Sequence, residues 1–169
     1  MRKPRGFTMV EIMIVVSIIG MIAAIAIPNL LRARHNANET AAIGNTKTIA
    51  DALESFRANQ VPPTYPGPGV NSAGMPVTNL QGLSQTLPAY IDVVLGSGQR
   101  QGYRFTYVPT GARVAQMGGQ NFQVYDSYEL YSDPITPRSS GTRGFFVDQT
   151  GVIRSAGIAP AKATDVPLE

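Results

Sequence analysis

The sequence predicts an α+β fold in which one long N-terminal helix packs by its second half on a small antiparallel β-sheet. From residue 7 to about residue 60, a continuous apolar run gives way to apolar residues spaced three and four apart, which is typical of a helix. After residue 102, apolar and polar residues alternate in short segments bounded by Gly and Pro, which is typical of strands. The chain has 169 residues, enough for one ordinary globular domain.

Composition excludes several kinds of site. The chain has no cysteine, so it forms no disulfide, thiolate metal site or cysteine nucleophile. Its single histidine, His35, rules out a multi-histidine metal site, and a catalytic role would need partners that the sequence does not offer. The net charge of +3 equals the contribution of Arg2, Lys3 and Arg5 alone, so the basic balance is weak evidence for nucleic-acid binding.

The first half of the predicted helix has the length and composition of a membrane span. Residues 7–27 contain one charged residue, Glu11. A helix of that length spans roughly 30 Å, the thickness of a bilayer core. Because the basic residues precede the span, the N-terminus is expected in the cytoplasm and the rest of the chain across the membrane. Pro28 then predicts a kink or a local break.

A conventional secretory signal is the competing interpretation of this segment. Ala24 and Ala26 loosely suit an A-x-A cleavage site. Two observations weigh against it: Glu11 interrupts the would-be hydrophobic region early, and the helical pattern continues beyond the apolar run instead of opening into a loop.

The second half of the helix has a single apolar stripe and ends near Val61-Pro62-Pro63, which gives one helix over about residues 7–60. We expect the stripe to pack on the sheet, whereas the first half must enter lipid or contact other copies of the chain. The stripe comprises Ile43, Thr46, Ile49, Ala50, Leu53 and Phe56. The charged residues expected mostly off it are Arg32, Arg34, Glu39, Lys47, Asp51, Glu54 and Arg57.

The rest of the chain reads as loops, a helical turn and strands. The Pro/Gly-rich segment 62–76 and the segment 96–102 are expected to be loops, and the tail from residue 157 is expected to be irregular. The expected ordered elements are a helical turn at Leu80, Leu83 and Leu87, a strand at 103–107, a strand centred on 128–131 with an extra strand near 122–125, and a hairpin over 144–155 that turns at 148–151.

The segment RGFTMVEIMIVVSIIGMIAAIAIPNLLRAR closely resembles the N-terminus of type IV prepilins and the related pseudopilins. The shared features are a short basic leader, Gly6, Phe7, Glu11 as the fifth residue after Gly6, an apolar run of about twenty residues, and Pro28. The resemblance is close over residues 1 to about 35, and beyond them only the plan of helix, loop and antiparallel strands agrees. The six-residue leader and Phe7 resemble the a-type subclass.

The resemblance implies three segments. Residues 1–6 would be a leader that a prepilin peptidase removes by cutting between Gly6 and Phe7, after which the amine of Phe7 is methylated. Residues 7–28 would be the membrane anchor and later the filament core. Residues 29–169, called the head below, would form the globular part with the second half of the helix, as in the pilin fold.

The resemblance also implies a structural function: a pilin that polymerises into a helical surface filament serving adhesion, motility or related functions. Glu11 would neutralise the amino terminus of a neighbouring copy, and Pro28 would let the helix bend during packing. A carboxylate costs about 2.5 to 3.5 kcal/mol at the centre of a membrane helix, and less near one end. Pairing with an ammonium in a low-dielectric core recovers much of that cost.

The expected partners are other copies of the chain, the peptidase, the assembly platform and its ATPase, and the inner membrane before assembly. The precursor would cross the bacterial inner membrane once, and the product would lie in an extracellular filament. No enzyme activity, cofactor or metal is expected. Nucleic acid is not an expected partner either, because the basic residues of the strand-forming region are expected on solvated faces or loops: Arg100, Arg104, Arg113, Arg138, Arg143 and Arg154.

Two alternatives remain open. The first is a pseudopilin of a type II secretion or competence system. Major pseudopilins of type II secretion usually carry a calcium loop, whereas Asp126, Asp133 and Asp148 form no tight cluster in this sequence. The second is a membrane-anchored periplasmic binding domain that keeps its leader and stays monomeric. A secreted soluble enzyme has the least support, since no catalytic set is visible.

Overall fold

A computed structural model describes residues 6–67, 69–70, 76–77, 79–157 and 160–168 of the chain. Its arrangement is α+β, as predicted. The helices are α1 (Met9–Ala58), α2 (Asn79–Gln85) and α3 (Val93–Gly96). The strands are β1 (Gly69–Val70), β2 (Pro76–Val77), β3 (Gln99–Arg100), β4 (Tyr103–Met117), β5 (Gln120–Pro134), β6 (Gly144–Asp148), β7 (Arg154–Ala156) and β8 (Val166–Pro167).

Helix α1 lies within two residues of its expected bounds at each end, with Thr8 as its N-cap and Asn59 as its C-cap. It runs through Pro28 without interruption, so the local break that the sequence suggested is absent from this structure. A proline removes only one hydrogen bond of the helical ladder, and the turns on both sides keep theirs.

The main sheet has six strands in the order β3-β4-β5-β6-β7-β8, and every neighbouring pair is antiparallel. Strands β1 and β2 form a separate two-stranded pair. The β4–β5 ladder extends from Tyr103 opposite Pro134 to Met117 opposite Gln120. The expectation of a separate strand near residues 122–125 is therefore wrong, because those residues belong to the single strand β5.

The C-terminal tail is more ordered than expected. Strand β8 pairs with β7, and the Leu168 N–H donates a hydrogen bond of 2.9 Å to the Ile153 carbonyl. Strand β3 likewise lies inside the segment 96–102, where a loop was expected. Both are edge strands of two residues, too short for alternation of residue types to reveal them.

The other local expectations are largely confirmed. The hairpin over 144–155 is present, with β6 paired to β7 and Phe145 opposite Ser155. In the expected helical turn, Leu80 and Leu83 are buried, but Leu87 is 100% exposed and lies after the end of α2. The expected leader residues 1–5 and part of the loop 62–76, namely residues 68 and 71–75, lie outside the described residues.

The core lies between the second half of α1 and one face of the sheet, as the apolar stripe predicted. Ile49 and Leu53 are fully buried in the same cluster as Phe105, Tyr128 and Leu130. Burying such side chains contributes about 1.5 to 3 kcal/mol each, so this helix–sheet contact stabilises the head.

Candidate functional site

The first half of α1 makes almost no contact with the rest of the chain. From Gly6 to Arg34 every residue is exposed except Ala23, which is intermediate. This part of α1 is long and apolar enough to cross a membrane. A continuous apolar surface of this size is not stable in water, so lipid or other protein must cover it.

The expected cleavage point lies just before the helix. Gly6 and Phe7 are outside the helical bounds, and the Phe7 side chain is 81% exposed. A Cβ added at Gly6 would meet no atom within 4 Å among its surroundings. No described residue therefore blocks access to the peptide bond between Gly6 and Phe7.

Glu11 closes a capping box with Thr8 at the start of α1. The Glu11 N–H donates to Thr8 Oγ1 at 3.2 Å, and the Thr8 N–H donates to Glu11 Oε2 at 3.4 Å. Two backbone donors at the helix start are thereby satisfied, and the carboxylate lies at the positive end of the helix dipole. The cap at Thr8 was not predicted, although the pattern T-x-x-E before an apolar run is a recognisable signal for it.

The capping box gives Glu11 a role within its own chain besides the expected role between chains. Its side chain is exposed, and its bond to the Thr8 N–H is long. A carboxylate has about four acceptor sites, so it can cap its own helix and also accept a hydrogen bond from a second copy.

Ser17, Gly20 and Pro28 lie in the same segment of α1. The Ser17 hydroxyl donates to the Met13 carbonyl at 2.8 Å, so it presents no unsatisfied donor to an apolar surrounding. Gly20 has open space where a side chain would lie. Pro28 lies inside α1 with exposed residues on both sides.

A buried carboxylate joins α1 to the β5–β6 loop. Glu39 was expected off the apolar stripe, and that expectation is wrong: the residue is only 4% exposed. Its Oε1 accepts from the Thr142 N–H at 2.8 Å and from the Thr142 hydroxyl at 2.7 Å, and its Oε2 accepts from Arg143 Nε at 2.8 Å.

These partners decide the charge of Glu39. Burial acts to raise the pKa of the Glu39 carboxyl, but the hydrogen bonds from Thr142 and Arg143 together outweigh it and hold the pKa below its ordinary value. The carboxylate is thus ionised at neutral pH, and its three hydrogen bonds link α1 to the β5–β6 loop.

A second contact holds the chain that follows α1. The Tyr65 hydroxyl donates to Glu54 Oε1 at 2.6 Å, and its ring packs edge-on against Tyr128 with centroids 4.9 Å apart. Burial, followed by the hydrogen bond to Glu54, raises the pKa of Tyr65 to about 12. Four tyrosines are buried: Tyr65, Tyr103, Tyr107 and Tyr128.

Three of the basic side chains considered for a nucleic-acid patch are paired with carboxylates. Arg100 contacts Asp92 at 2.7 Å, and Arg113 contacts Asp126. Arg143 is held by Glu39, as described above. Pairing removes much of the field that phosphate binding requires.

The three aspartates considered for calcium are engaged separately. Asp126 pairs with Arg113, and Asp148 Oδ1 accepts from the Thr150 N–H at 2.8 Å. Burial raises the pKa of Asp133, against the opposing effect of Arg104. Within the described parts of the chain, no three His, Cys, Asp or Glu side chains come together as a metal site would require.

Comparison with known proteins agrees with the resemblance. Residues 1–27 match the family described as the prokaryotic N-terminal methylation motif. This match contains Gly6, Phe7 and Glu11 and ends just before Pro28.

Curated relatives match about a third of the chain. The type IV major pilin protein PilA of Myxococcus xanthus is 48% identical over 54 residues, which are 32% of this chain and 24% of the relative. The type IV wide pilus major component PilA4 of Thermus thermophilus is 55% identical over 61 residues, 36% of this chain and 44% of the relative. The type II secretion system core protein G of Vibrio cholerae is 38% identical over 65 residues, 38% of this chain and 44% of the relative.

The chain therefore spans less than half the length of each of these relatives, and it resembles pilins and secretion pseudopilins alike. No solved structure matches the chain. The family match, residues 1–27, falls on the exposed half of α1 and the residues that precede it in the sequence.

Proposed function

We propose that this chain is a type IV pilin, a structural subunit that a prepilin peptidase processes and that polymerises into a helical surface filament. The observation that carries the proposal is the division of α1. Its first half bears the methylation motif and is exposed and apolar, while its second half is built into a folded head.

The proposed processing divides the chain into the leader 1–6, the core helix 7–28 and the head 29–169. Cleavage between Gly6 and Phe7 suits the open surroundings of Gly6, because a peptidase needs close approach to the backbone. Methylation of the Phe7 amine would leave its positive charge in place.

Glu11 and Phe7 are the proposed assembly residues at the start of the helix. The Glu11 carboxylate would pair with the Phe7 amine of a neighbouring copy in the dry filament core, where such a pair is stronger than in water. Pro28 is the proposed point at which α1 adjusts its direction or opens locally during packing, since its missing N–H weakens one turn.

The proposed partners follow from this life cycle. The precursor would lie in the bacterial inner membrane with its N-terminus in the cytoplasm, where the peptidase cuts it. An assembly platform and its ATPase would then extract it into an extracellular filament of copies of itself. No catalytic role, cofactor or metal is part of the proposal.

The test is mass spectrometry of fibres sheared from the native host, together with imaging of the same fibres. We expect this chain in the fibres, starting at an N-methylated Phe7. A chain that keeps Met1 would instead support a membrane-anchored binding domain, and a start at Ile27 would indicate a conventional signal peptide; either result would overturn the proposal.

A pseudopilin is the second candidate function, because type II secretion system core protein G relatives match the chain at 38% identity over 65 residues and 41% over 56 residues. Deletion of the gene separates the two. Loss of surface fibres with normal protein secretion indicates a pilin, and loss of secretion with normal fibres indicates a pseudopilin.

A further inference from the structure

Strands β4 and β5 extend well beyond the rest of the sheet. Strand β3 pairs with β4 only at residues 103–104, and β6 pairs with β5 only at residues 129–132. Farther out, residues 112–125 form a two-stranded ribbon that ends at Gly118 and Gly119, and we call it the arm. Each strand of the arm is about 20 Å long.

The arm points past the C-terminal end of α1. Going from residue 132 to residue 128 of β5, the contacts move toward the C-terminal end of α1. Ser132 lies 2.7 Å from Thr46. Tyr128 packs on Tyr65, whose hydroxyl is hydrogen-bonded to Glu54. The Tyr125 carbonyl then accepts from the Tyr65 N–H, beyond the last residue of α1. The arm continues in that direction, away from the membrane-length half of the helix.

One face of the arm continues the face of the sheet that forms the core. The even-numbered residues of β5 share this face: Val124, Tyr128, Leu130 and Ser132 are buried, and Asp126 and Phe122 are exposed. Phe122 is 43% exposed, and Met117 near the tip, on the same face, is 48% exposed. We call this the inner face of the arm; Val114 lies on the opposite, outer face.

The arm lacks the usual protection of an exposed ribbon. The ion pair of Arg113 and Asp126 lies at its base, on the inner face, since Arg113 is opposite Val124 and Asp126 is an even-numbered residue of β5. Beyond it, residues 114–125 contain no charged side chain. Among the described residues, only Thr64 and Tyr65 pair with an outer edge of the arm, at Tyr125. Natural proteins normally guard such edges with charges, and a two-stranded ribbon alone is marginally stable in water.

A second apolar surface lies at the other end of the head. Leu30 and Leu31 are exposed on α1, 53% and 50% respectively. They follow the 21-residue apolar stretch 7–27, which by itself fills a bilayer core of roughly 30 Å. Leu30 and Leu31 lie beyond these 21 residues, at the edge of such a core or outside it, and no described residue of the chain buries them.

We propose that the inner face of the arm packs on α1 of a second copy of this chain, at the exposed turn around Leu30 and Leu31. This inference rests on the proposed filament. The two surfaces lie at opposite ends of the head, so a shift along the helix axis brings the arm of one copy to the start of the next head. Such a contact joins different surfaces and does not close, which is what an open polymer needs. An apolar sheet face is normally buried on a helix, and in this chain the same side of the main sheet packs on the second half of α1.

The experiment is photo-crosslinking in assembled filaments. Because the chain has no cysteine, Phe122→Cys introduces a single thiol for a benzophenone maleimide. Val114→Cys, on the outer face of the same arm, is the matched control, and Met117→Cys is a second inner-face variant in case Phe122→Cys does not assemble. We expect adducts between two copies from the inner-face positions, with the crosslinked peptide within residues 25–34, and few from Val114→Cys.

Adducts that form equally from both faces, that map elsewhere, or that join another protein would overturn the proposal, as would the lack of any adduct in intact filaments. If neither inner-face cysteine variant enters filaments while Val114→Cys does, Phe122→Leu and Met117→Leu should restore assembly; failure of these apolar replacements would also count against an apolar contact. The proposed function is judged separately, by whether the unmodified chain is found in the fibres at all.

Discussion

At the scale of single residues, two glutamates lie in apolar surroundings, where a carboxylate needs hydrogen-bond donors. Glu11 lies in the most apolar part of the chain and is bonded to the start of its own helix. Glu39 lies in the head, where three donors from Thr142 and Arg143 surround it. A carboxylate in an apolar setting needs donors, and both residues find them at a terminus or loop where backbone N–H groups are free.

Glu11→Gln tests the charge of Glu11 separately from its cap. Glutamine can occupy the same position of a capping box, so the helix start should persist, but it cannot pair with an ammonium. We expect normal membrane insertion and roughly tenfold less filament, the factor that corresponds to about 1.4 kcal/mol. The measurement is the amount of the chain in sheared fibres relative to the membrane fraction.

Thr8→Ala is the reciprocal control for that experiment. It removes the cap oxygen at a cost of about 1 kcal/mol to the helix end and keeps the charge. Fibres from this variant should stay near the wild-type level. A loss equal to that of Glu11→Gln would mean that the cap, not the charge, is what assembly requires.

Glu39→Gln should make the head less stable and less sensitive to acid. The pKa of Glu39 is lower in the folded chain than its ordinary value of 4.5, so its stabilising contribution is present above that value and is lost as the pH falls through the folded pKa. The loss of charge-assisted bonds should cost about 1 to 3 kcal/mol. Thermal unfolding of the detergent-solubilised chain between pH 3 and pH 7 measures both effects.

Asp51→Asn serves as the control, since it removes an exposed carboxylate from the same helix. It should leave both the unfolding temperature and its pH dependence nearly unchanged. If the two variants behave alike, the hydrogen bonds of Glu39 to Thr142 and Arg143 do not stabilise the head as proposed.

At the scale of elements, α1 is attached to the sheet by apolar packing and by one buried polar contact. The Thr46 hydroxyl lies 2.7 Å from that of Ser132, and it also donates to the Ala42 carbonyl at 2.7 Å. Ser132 is then the donor between the two hydroxyls. Both are fully buried, so the Ser132 hydroxyl depends on Thr46 for its hydrogen bond, whereas Thr46 also has its bond to the Ala42 carbonyl.

A double-mutant cycle with Thr46→Val and Ser132→Ala tests this dependence. Thr46→Val alone leaves the Ser132 hydroxyl buried without its partner, which should cost about 1 to 3 kcal/mol. The double variant should recover part of that loss, because removing both polar groups avoids the unpaired donor. Strictly additive unfolding free energies would show that the two hydroxyls are not coupled.

At the scale of the whole molecule, stability and exposure are divided along the chain. Every core residue lies at Ala42 or later, whereas the exposed large apolar side chains are concentrated between Phe7 and Leu31. The head holds itself together without disulfides, and the first half of α1 contributes surface for others to cover.

Removal of residues 1–28 should therefore leave a folded head that needs no detergent. We expect a cooperative thermal transition and a monomeric elution volume, because no core contact is deleted. Circular dichroism and size-exclusion chromatography measure these properties. A truncated head that is unfolded would show that the first half of α1 stabilises the fold as well as the assembly.

The sequence by itself determined the long helix, its division into an apolar half and a striped half, the strand at Tyr103, the hairpin at Gly144, and the residues of the methylation motif. These features have strong local signals: periodicity, uninterrupted hydrophobicity, turn residues and a recognisable motif. The same logic would have identified the Thr8 cap, since it depends on spacing within one turn.

Only the tertiary structure decided the burial of Glu39, the pairing of the tail as β8 and the projection of the β4–β5 arm. Glu39 is buried because Thr142 and Arg143, about a hundred positions away, supply its donors. The tail becomes a strand because β7 offers it a free edge, and the arm exists because β3 and β6 end early. Each of these features depends on which distant segment lies alongside, and a local pattern of residue types does not specify that.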